Sequence, residues 1–572
     1  MKVNDNAAII YKGKKIAYSE INEKIKKISF ELEEVLRPSE DRRVAIFIDR
    51  CPELIITIYS VLSINATYVP IDTNFPKSRI EFIINDSNAF VIVTQKKYKS
   101  YFENKNVMYI EDICNKEYVD KDTKEISKDN DIANIIYTSG TTGMPKGVMI
   151  FYDSLLNFTE GITEIINFSK GKVIISFTTV SFDIFFLETI LALNKGLTVV
   201  LSDNNEQNNP RLIVNLIKEN NVDMMQVTPS RLQQLINYDN NLGFLKNVKD
   251  IMVGGEMLSS NTFHILKKSF NGNIYNLYGP TEATIWCTVS NLTNKNKIDI
   301  GKPIKNTEVF VLDESLEEVA VGEEGELYIA GKGLALGYLN REELTRNKFV
   351  THTKYKNKIL YRTGDLCKMS EGGNIIILGR MDNQIKLNGF RIEPEEIENV
   401  ARAFNDINEV IVVLDKTANH LVMHYTSKAE INKDELKKFL SIKLPRYMIP
   451  NTFFRHDSFN YTSNNKLDRK SIENVLAENS LNKNITKAIQ LSEIETTILN
   501  EILKNVEVDG EISVDLELEA IGINSISYMT IIVNLEDEFM IEFDDDKLKY
   551  DVFKTVRELI DYVDSEVKKF ST

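Results

Sequence analysis

The chain is 572 residues long, 43% hydrophobic and 27% charged, too long for one ordinary core and composed like a water-soluble globular protein, so two to four domains are expected. Its net charge of −15 is unevenly spread: residues 491–572 hold 7 Lys/Arg against 21 Asp/Glu, while the rest carry 62 against 63. Such asymmetry marks a separate acidic module and argues against nucleic acid as a partner, because phosphate would be repelled.

No basic n-region followed by an apolar h-region opens the sequence, so a cytoplasmic protein without a signal peptide is expected. The only candidate membrane span, VIISFTTVSFDIFFLETILAL from Val173, contains Asp183 and Glu188 and many β-branched residues, which argues against spanning. Cys51, Cys114, Cys287 and Cys367 are far apart with no CxxC pair; they read as reduced, mostly buried thiols.

In chain order, RVAIFI, FVIVT, KVIISF, LTVVLS and VKDIMVGG read as buried strands separated by helical patterns, the signature of an α/β domain with largely parallel sheets. From about Gly301 the pattern changes to shorter strands with glycine turns (VFVLDES, GELYIAGKG, NIIILGR). Residues 383–478 mix the strands EVIVVLD and HLVMHYTS with the helix KDELKKFLSIKL. A polar stretch near 478–490 reads as a linker. After it come only helical segments, SEIETTILNEILKNV, SISYMTIIVNLEDEF and FKTVRELIDYVDSEV, enough for a small bundle.

The strongest local signal is YTSGTTGMPKG, Tyr137–Gly147, directly after the apolar IANII. Glycines and small hydroxyl residues after a strand let backbone N–H groups and hydroxyls approach phosphate oxygens, and Lys146 adds a mobile positive charge. Glycine follows the lysine, so this is not a Walker A loop. A short GxxG alone would be read as a turn; eleven residues of this type point to nucleotide phosphate.

Further along stand AYSEI (17–21), TYVPIDTNFPKSRI (67–80), SFDIFFLE (181–188), NLYGPTEAT (276–284), GELYIAGKGLALGYL (325–339), YRTGDL (361–366), GRMDNQIKLNGFRIEPEEIE (379–398) and NNKLDRKS (464–471). With the phosphate loop, these motifs in this order resemble the adenylate-forming enzymes, and within them the adenylation domains of nonribosomal peptide synthetases. The resemblance covers nearly the whole chain. Three details depart from the family pattern: no glycine precedes TYVP, Leu336 replaces a common arginine, and Asn465 stands where glycine precedes the lysine.

The resemblance implies a large adenylate-forming α/β lobe (1–381), a small mobile α+β lobe (382–478), a linker (479–490) and an all-α four-helix carrier domain (491–572). It implies attack of an amino-acid carboxylate on the α-phosphate of ATP. Thr138, Ser139, Gly140, Thr141, Thr142, Gly143 and Lys146 would hold the β- and γ-phosphates. Asn276 and Tyr278 would meet adenine, and Asp365, with Arg380 and Lys386 nearby, the ribose. Thr281 would approach the α-phosphate, Glu282 would hold Mg²⁺, and Lys466 would bridge the substrate carboxylate and the α-phosphate. Asp382 would be the hinge on which the small lobe rotates for a second, thioester-forming step.

The tail carries AIGINSISY, Ala520–Tyr528, which resembles the GxDSL element of peptidyl carrier proteins with Asn524 in place of aspartate. An isolated Ser525 would read as a helix N-cap, opening an amphipathic helix on Ile526, Met529 and Val533. By the resemblance it carries 4′-phosphopantetheine, placed there by a phosphopantetheinyl transferase. No HHxxxDG and no GxSxG occurs, so the protein is expected to load a building block and pass it to downstream condensation or tailoring proteins. A monomer is expected.

A buried carboxylate costs several kcal/mol unless paired. Asp183 stands at the family position that pairs with a substrate α-ammonium; a helix-start Asp bonded to backbone is the plainer alternative. The remaining pocket positions by register are Ile184, Leu187, Gln226, Met252, Gly254, Leu277, Ile285 and Trp286. The set resembles the signature of glycine-activating domains, with alanine as the expected leak. An acyl- or aryl-CoA ligase is the alternative within the fold.

Overall fold

The computed structural model describes the chain apart from residues 1–6, 40, 104, 117–130, 141–142, 353, 356–357, 416–418, 461–466, 474–492, 507–512, 515, 540, 542, 545–546, 551 and 571–572. The expected linker therefore lies outside the described residues. Two sheets build the large lobe. In the nine-stranded sheet, parallel pairing joins the six strands from Asn273–Tyr278 through Asp250–Gly254, Met224–Val227, Val173–Ser176 and Thr198–Leu201 to Ala7–Tyr11; antiparallel strands close both edges. The seven-stranded sheet has five parallel strands, flanked by the antiparallel Lys146–Phe151 and Gly337–Tyr338.

The central parallel strands, such as Val91–Thr94, Met224–Val227 and Asp250–Gly254, are buried over their whole length, because helices cover both faces. Helix Tyr18–Leu36 shows how: Ile21, Ile25, Ile28, Leu32 and Leu36, spaced three and four apart, form its buried stripe. The change of pattern after Gly301 corresponds to a five-stranded antiparallel sheet built from Thr307–Leu312, Glu324–Gly331, Phe349–His352, Lys358–Met369 and Ile375–Arg380. All four cysteines are free, with Cys287 and Cys367 buried.

The SFDIFFLE run is neither a strand nor a membrane span. Among the described residues no helix is long and apolar enough to cross a membrane. Residues Ile184 to Asn194 form one helical rod, buried as far as Leu193 and widened to π geometry over Leu187–Leu191, a feature often found beside functional sites.

Beyond Arg380 come a two-stranded hairpin (Ile385–Leu387 and Phe390–Ile392), helices Pro394–Ala401 and Lys433–Lys443, and a three-stranded sheet over Ile407–Asp415, His420–Ser427 and Thr452–His456. Asn388 and Gly389 turn the hairpin with φ of 52° and 83°, the positive values that Asn-Gly accepts at least cost.

The acidic C-terminal region has its own core. Its described helices are Glu493–Asn505, Ser525–Phe539 and Val556–Phe570, closed over Ile498, Ile502, Tyr528, Ile531, Ile532, Leu535 and Val563. This corrects the stripe expected from the sequence. Tyr528, Ile531, Ile532 and Leu535 face the core, whereas Ile526 and Val533 lie outside that cluster. Helix Ser525–Phe539 packs instead on two large-lobe helices, Pro210–Glu219 and Pro229–Tyr238, with an Arg211–Glu536 ion pair at 4.0 Å. Val533 is buried without belonging to the C-terminal core.

Candidate active site

The site lies where parallel strands end, as ligand sites in open α/β sheets do. Strands ending at Gly254 and Tyr278 open onto a cavity of about 320 Å³, lined among others by Asn276, Leu277, Tyr278, Trp286, Asp365 and Lys386. Tyr278 donates its hydroxyl to Asp365 Oδ2, and Arg380 Nη1 donates to Asp365 Oδ1 at 2.9 Å. The Lys386 ammonium stands 5.7 Å from the centre of the Tyr278 ring, and burial lowers its pKa. Asn276 donates to the Asp299 carbonyl at 2.9 Å.

At the substrate end, register pairs Gln226 with Met252 and Gly254 with Leu277 across neighbouring strands. Ile184, Leu187, Met252, Leu277, Ile285 and Trp286 belong to one buried cluster. A Cβ on Gly254 would meet the Trp286 ring and the Leu277 carbonyl, both at 2.7 Å, so the indole approaches bare backbone. Gln226 turns away from this group: with its amide oriented by its neighbours, it donates to Glu188 Oε1 at 3.1 Å. Glu188 also takes the Thr178 N–H at 3.1 Å and the Thr178 hydroxyl. Thr284 and Ile285 have φ of 58° and 68°, an uncommon backbone for a β-branched residue and one that concentrates at functional sites.

Asp183 precedes the helix without capping it. Its Oδ2 is sealed from solvent and receives no hydrogen bond. Burial raises its pKa to about 6, tempered by the Thr281 hydroxyl and the N–H of Ile184, and raised further by Glu282.

Glu282 is the opposite case. Its carboxylate is fully buried, and Arg391 Nη1 donates to both oxygens at 3.0 and 2.8 Å. Tyr338 donates to Oε1 at 2.7 Å, and Lys146 Nζ is 3.6 Å away. Burial alone would raise this carboxyl, yet Arg391, Lys146 and Tyr338 hold it far below the usual range. Arg391 thus spans both oxygens of the single carboxylate that the resemblance assigns to Mg²⁺, an ion usually held by one or two carboxylates together with substrate phosphates. Lys146 is pulled down to about 8 by burial and by Arg391.

In the phosphate loop, Gly140 donates its N–H to Glu396 Oε2 at 3.1 Å and Ser139 its hydroxyl to the Arg391 carbonyl at 2.7 Å. The Thr138 hydroxyl is buried without a partner. Gly143, at φ 83°, has Asn399 so close that a Cβ would stand 2.5 Å from its amide nitrogen. Thr141, Thr142 and Lys466 lie outside the described residues. The 385–392 hairpin thus reaches into the site. Gly389 donates to Glu256, and Phe390 lies between Tyr447, stacked at 3.8 Å, and Phe182, edge-on at 5.0 Å. Asp382, just before the hairpin, takes two bonds from Arg380 at 2.8 and 2.6 Å. Burial opposes its ionisation, but Arg380 outweighs it and lowers the pKa.

Ser525 opens its helix without capping it. Asn524 Oδ1 accepts from the N–H groups of Ile526 and Ser527 at 2.9 and 3.0 Å, so the asparagine carries the cap. A half-exposed Ser525 hydroxyl, free of that duty, suits a covalently attached phosphopantetheine.

Arg391, Glu396, Arg79 and Tyr338 received no role from the sequence. The one signal for the first two was the Asn-Gly turn inside IKLNGFRI, which fixes a hairpin and so aims Arg391; nothing local showed that the hairpin meets Glu282.

The model of the AMP-binding enzyme family matches residues 1–339. The chain belongs to that family. Residues 496–563 match the phosphopantetheine attachment site family. Zwittermicin A synthase ZmaJ of Bacillus cereus is 36% identical over 489 residues, covering 82% of this chain and 92% of ZmaJ. The chain spans 9% and 8% of the length of two bacitracin synthases of Bacillus licheniformis that it also matches. Among solved structures, holo-PA1221, with adenylation and PCP domains, superposes with a TM-score of 0.79 at 22% identity, covering 98% of this chain and 94% of that one. The four-domain nonribosomal peptide synthetase holo-AB3403, bound to AMP and glycine, gives a TM-score of 0.59 at 29% identity, over 98% of this chain and 42% of that one. The chain therefore joins an AMP-binding enzyme region to a phosphopantetheine attachment region, the pairing that holo-PA1221 has in its adenylation and PCP domains.

Proposed function

We propose that the chain adenylates an amino acid with ATP and loads it as a thioester, that this amino acid is glycine, and that the carrier accepts it on phosphopantetheine attached to Ser525. The observation that carries this is the unpaired, solvent-free Oδ2 of Asp183, beside a floor where Trp286 is pressed onto Gly254. An ammonium group supplies the missing partner, and the indole on the bare Gly254 backbone is the wall that a larger side chain would meet. That AB3403 binds AMP and glycine supports the same reading.

In the first step, Asn276 and Tyr278 receive adenine, Asp365 takes the ribose hydroxyls, and Thr138 to Gly143 with Lys146 hold the β- and γ-phosphates. Thr281 and Lys466 face the α-phosphate as the glycine carboxylate attacks, so that charge building there meets fixed donors. In the second step the small lobe turns about Asp382. The 385–392 hairpin, seen here in the site, shields the adenylate from water. The phosphopantetheine supplies a thiol as acceptor; Ser525 anchors it, and the packing of its helix on Pro210–Glu219 and Pro229–Tyr238 aims it. The domain limits 1–381, 382–478 and 491–572 follow this division. A phosphopantetheinyl transferase is the required partner upstream, with assembly-line proteins downstream.

ATP–pyrophosphate exchange across the amino acids tests the substrate: glycine should dominate with alanine next, and strong exchange with a bulky or charged residue but none with glycine sinks it. Intact mass after priming should show a phosphopantetheine adduct, then a glycyl increment, both abolished by Ser525→Ala.

A further inference from the structure

Glu188 is wholly buried yet has no part in the chemistry proposed for the site. It lies one residue after Leu187, in the turn widened to π geometry. Its neighbours are donors: the Thr178 N–H at 3.1 Å, the Thr178 hydroxyl, and the Gln226 carboxamide at 3.1 Å. Gln226 is held from its other end too, since its Oε1 accepts from the Val227 N–H at 3.3 Å. Only one orientation of this amide satisfies both neighbours. Arg50, likewise buried, ties down the same region. It donates to the Thr178 carbonyl, and at 2.8 Å to the Ser176 hydroxyl and the Ser202 carbonyl. Its guanidinium stands 5.4 Å from the centre of the Phe185 ring. Thr178 is thus gripped at its N–H by an acid and at its carbonyl by a base. Burial raises the Glu188 pKa against the pull of Thr178 and Arg50, and buried charges are seldom worth more to stability than apolar side chains of similar volume.

We propose that Glu188 sets the selectivity of the pocket without touching the substrate: it fixes the side chain of Gln226 and, through the widened turn, the wall residue Leu187. A small amino acid is selected by exclusion, and a wall excludes a larger one only while it cannot move. Hydrogen bonds fix direction as well as distance, so a carboxylate that meets three donors holds rod and strand in one arrangement. Glutamine at this position would offer a single acceptor oxygen and turn its NH₂ towards a donor. Glu188 is therefore a positioning residue, set between the rod that carries Ile184 and Leu187 and the strand that carries Gln226. That role rests on the reading of Asp183, Ile184, Leu187 and Gln226 as the amino-acid pocket.

The test measures kcat/KM in ATP–pyrophosphate exchange on the full chain, for the preferred amino acid and its next larger homologue, glycine and alanine in the proposed function. The ratio of the two values in one preparation does not depend on how much of the protein is folded, so a loss of stability alone leaves it unmoved. Glu188→Gln should raise the ratio of the larger to the smaller substrate about tenfold, with KM for ATP little changed. Gln226→Met keeps the volume and breaks the same contact from its other side. If the two residues act as a unit, the double variant should raise the ratio by less than the product of the single effects. Glu188→Asp keeps a charge beside Arg50 but withdraws it from Gln226; it should give an intermediate ratio, and it carries the test if the glutamine variant does not fold. An equal loss of kcat/KM for both substrates in the Glu188 variants, leaving the ratio unchanged, overturns the proposal, as does a double variant whose effects simply multiply. Absence of exchange with any amino acid in the wild type would instead defeat the reading of the pocket itself.

Discussion

Asp183 and Glu282 are neighbouring buried carboxylates with opposite fates. Asp183 keeps one oxygen unpaired and is pushed towards its neutral form; Glu282 is spanned by Arg391, flanked by Lys146 and Tyr338, and stays ionised. Burial is common to both, so burial does not decide the charge; the partner does. Asp183 keeps an oxygen that no group of the protein answers, and the proposed function gives it to the ammonium of the substrate. Glu282 is answered by the protein's own hairpin, through Arg391.

The comparison breaks first at Asp183. Asp183→Asn keeps the shape and removes the charge, so kcat/KM for glycine in exchange should fall about 10²–10³-fold, the scale of breaking a buried ion pair, with KM for ATP little changed. Glu282→Gln should do the reverse, sparing KM for glycine; equal effects on both substrates from both variants would erase the distinction. Trp286→Ala removes the floor of the pocket, and the ratio of alanine to glycine in kcat/KM should rise about 10–100-fold.

The pH dependence is smaller and has a definite sign. Asp183 must be ionised to hold an ammonium, and its pKa in the free protein is about 6. As the pH falls through that value, kcat/KM for glycine should drop, about fivefold between pH 6 and 5 and approaching tenfold per unit below that. Glu282, held far lower, stays charged over the same window, so KM for ATP should remain flat. The least dramatic change is Gly254→Ala: its methyl meets the Trp286 ring and a backbone carbonyl, and overpacking of this kind costs about 1–3 kcal/mol, read as a lowered Tm.

Much of the architecture was legible because burial on both faces leaves apolar runs that local pattern displays. The strands at Arg43–Phe47, Val91–Thr94 and Val173–Ser176, and the helix at Lys433–Lys443, lie within a residue or two of where the sequence places them. The carrier helix was placed correctly but its face was misjudged. Of the expected stripe Met529 packs against the helix's own core while Ile526 and Val533 do not, and spacing alone does not say which apolar residues will.

What the sequence determined by itself was the family chemistry: the glycine-rich loop, the carboxylates and the attachment serine are short-range patterns whose residue types are their function. What only the tertiary structure decided was which charges meet. Arg391 on Glu282 and Glu396 on Gly140 bridge 109 and 256 positions of chain, and no local propensity reaches that far. Coulomb attraction acts through space, so the state of a buried carboxylate is written by whichever lobe the fold turns towards it.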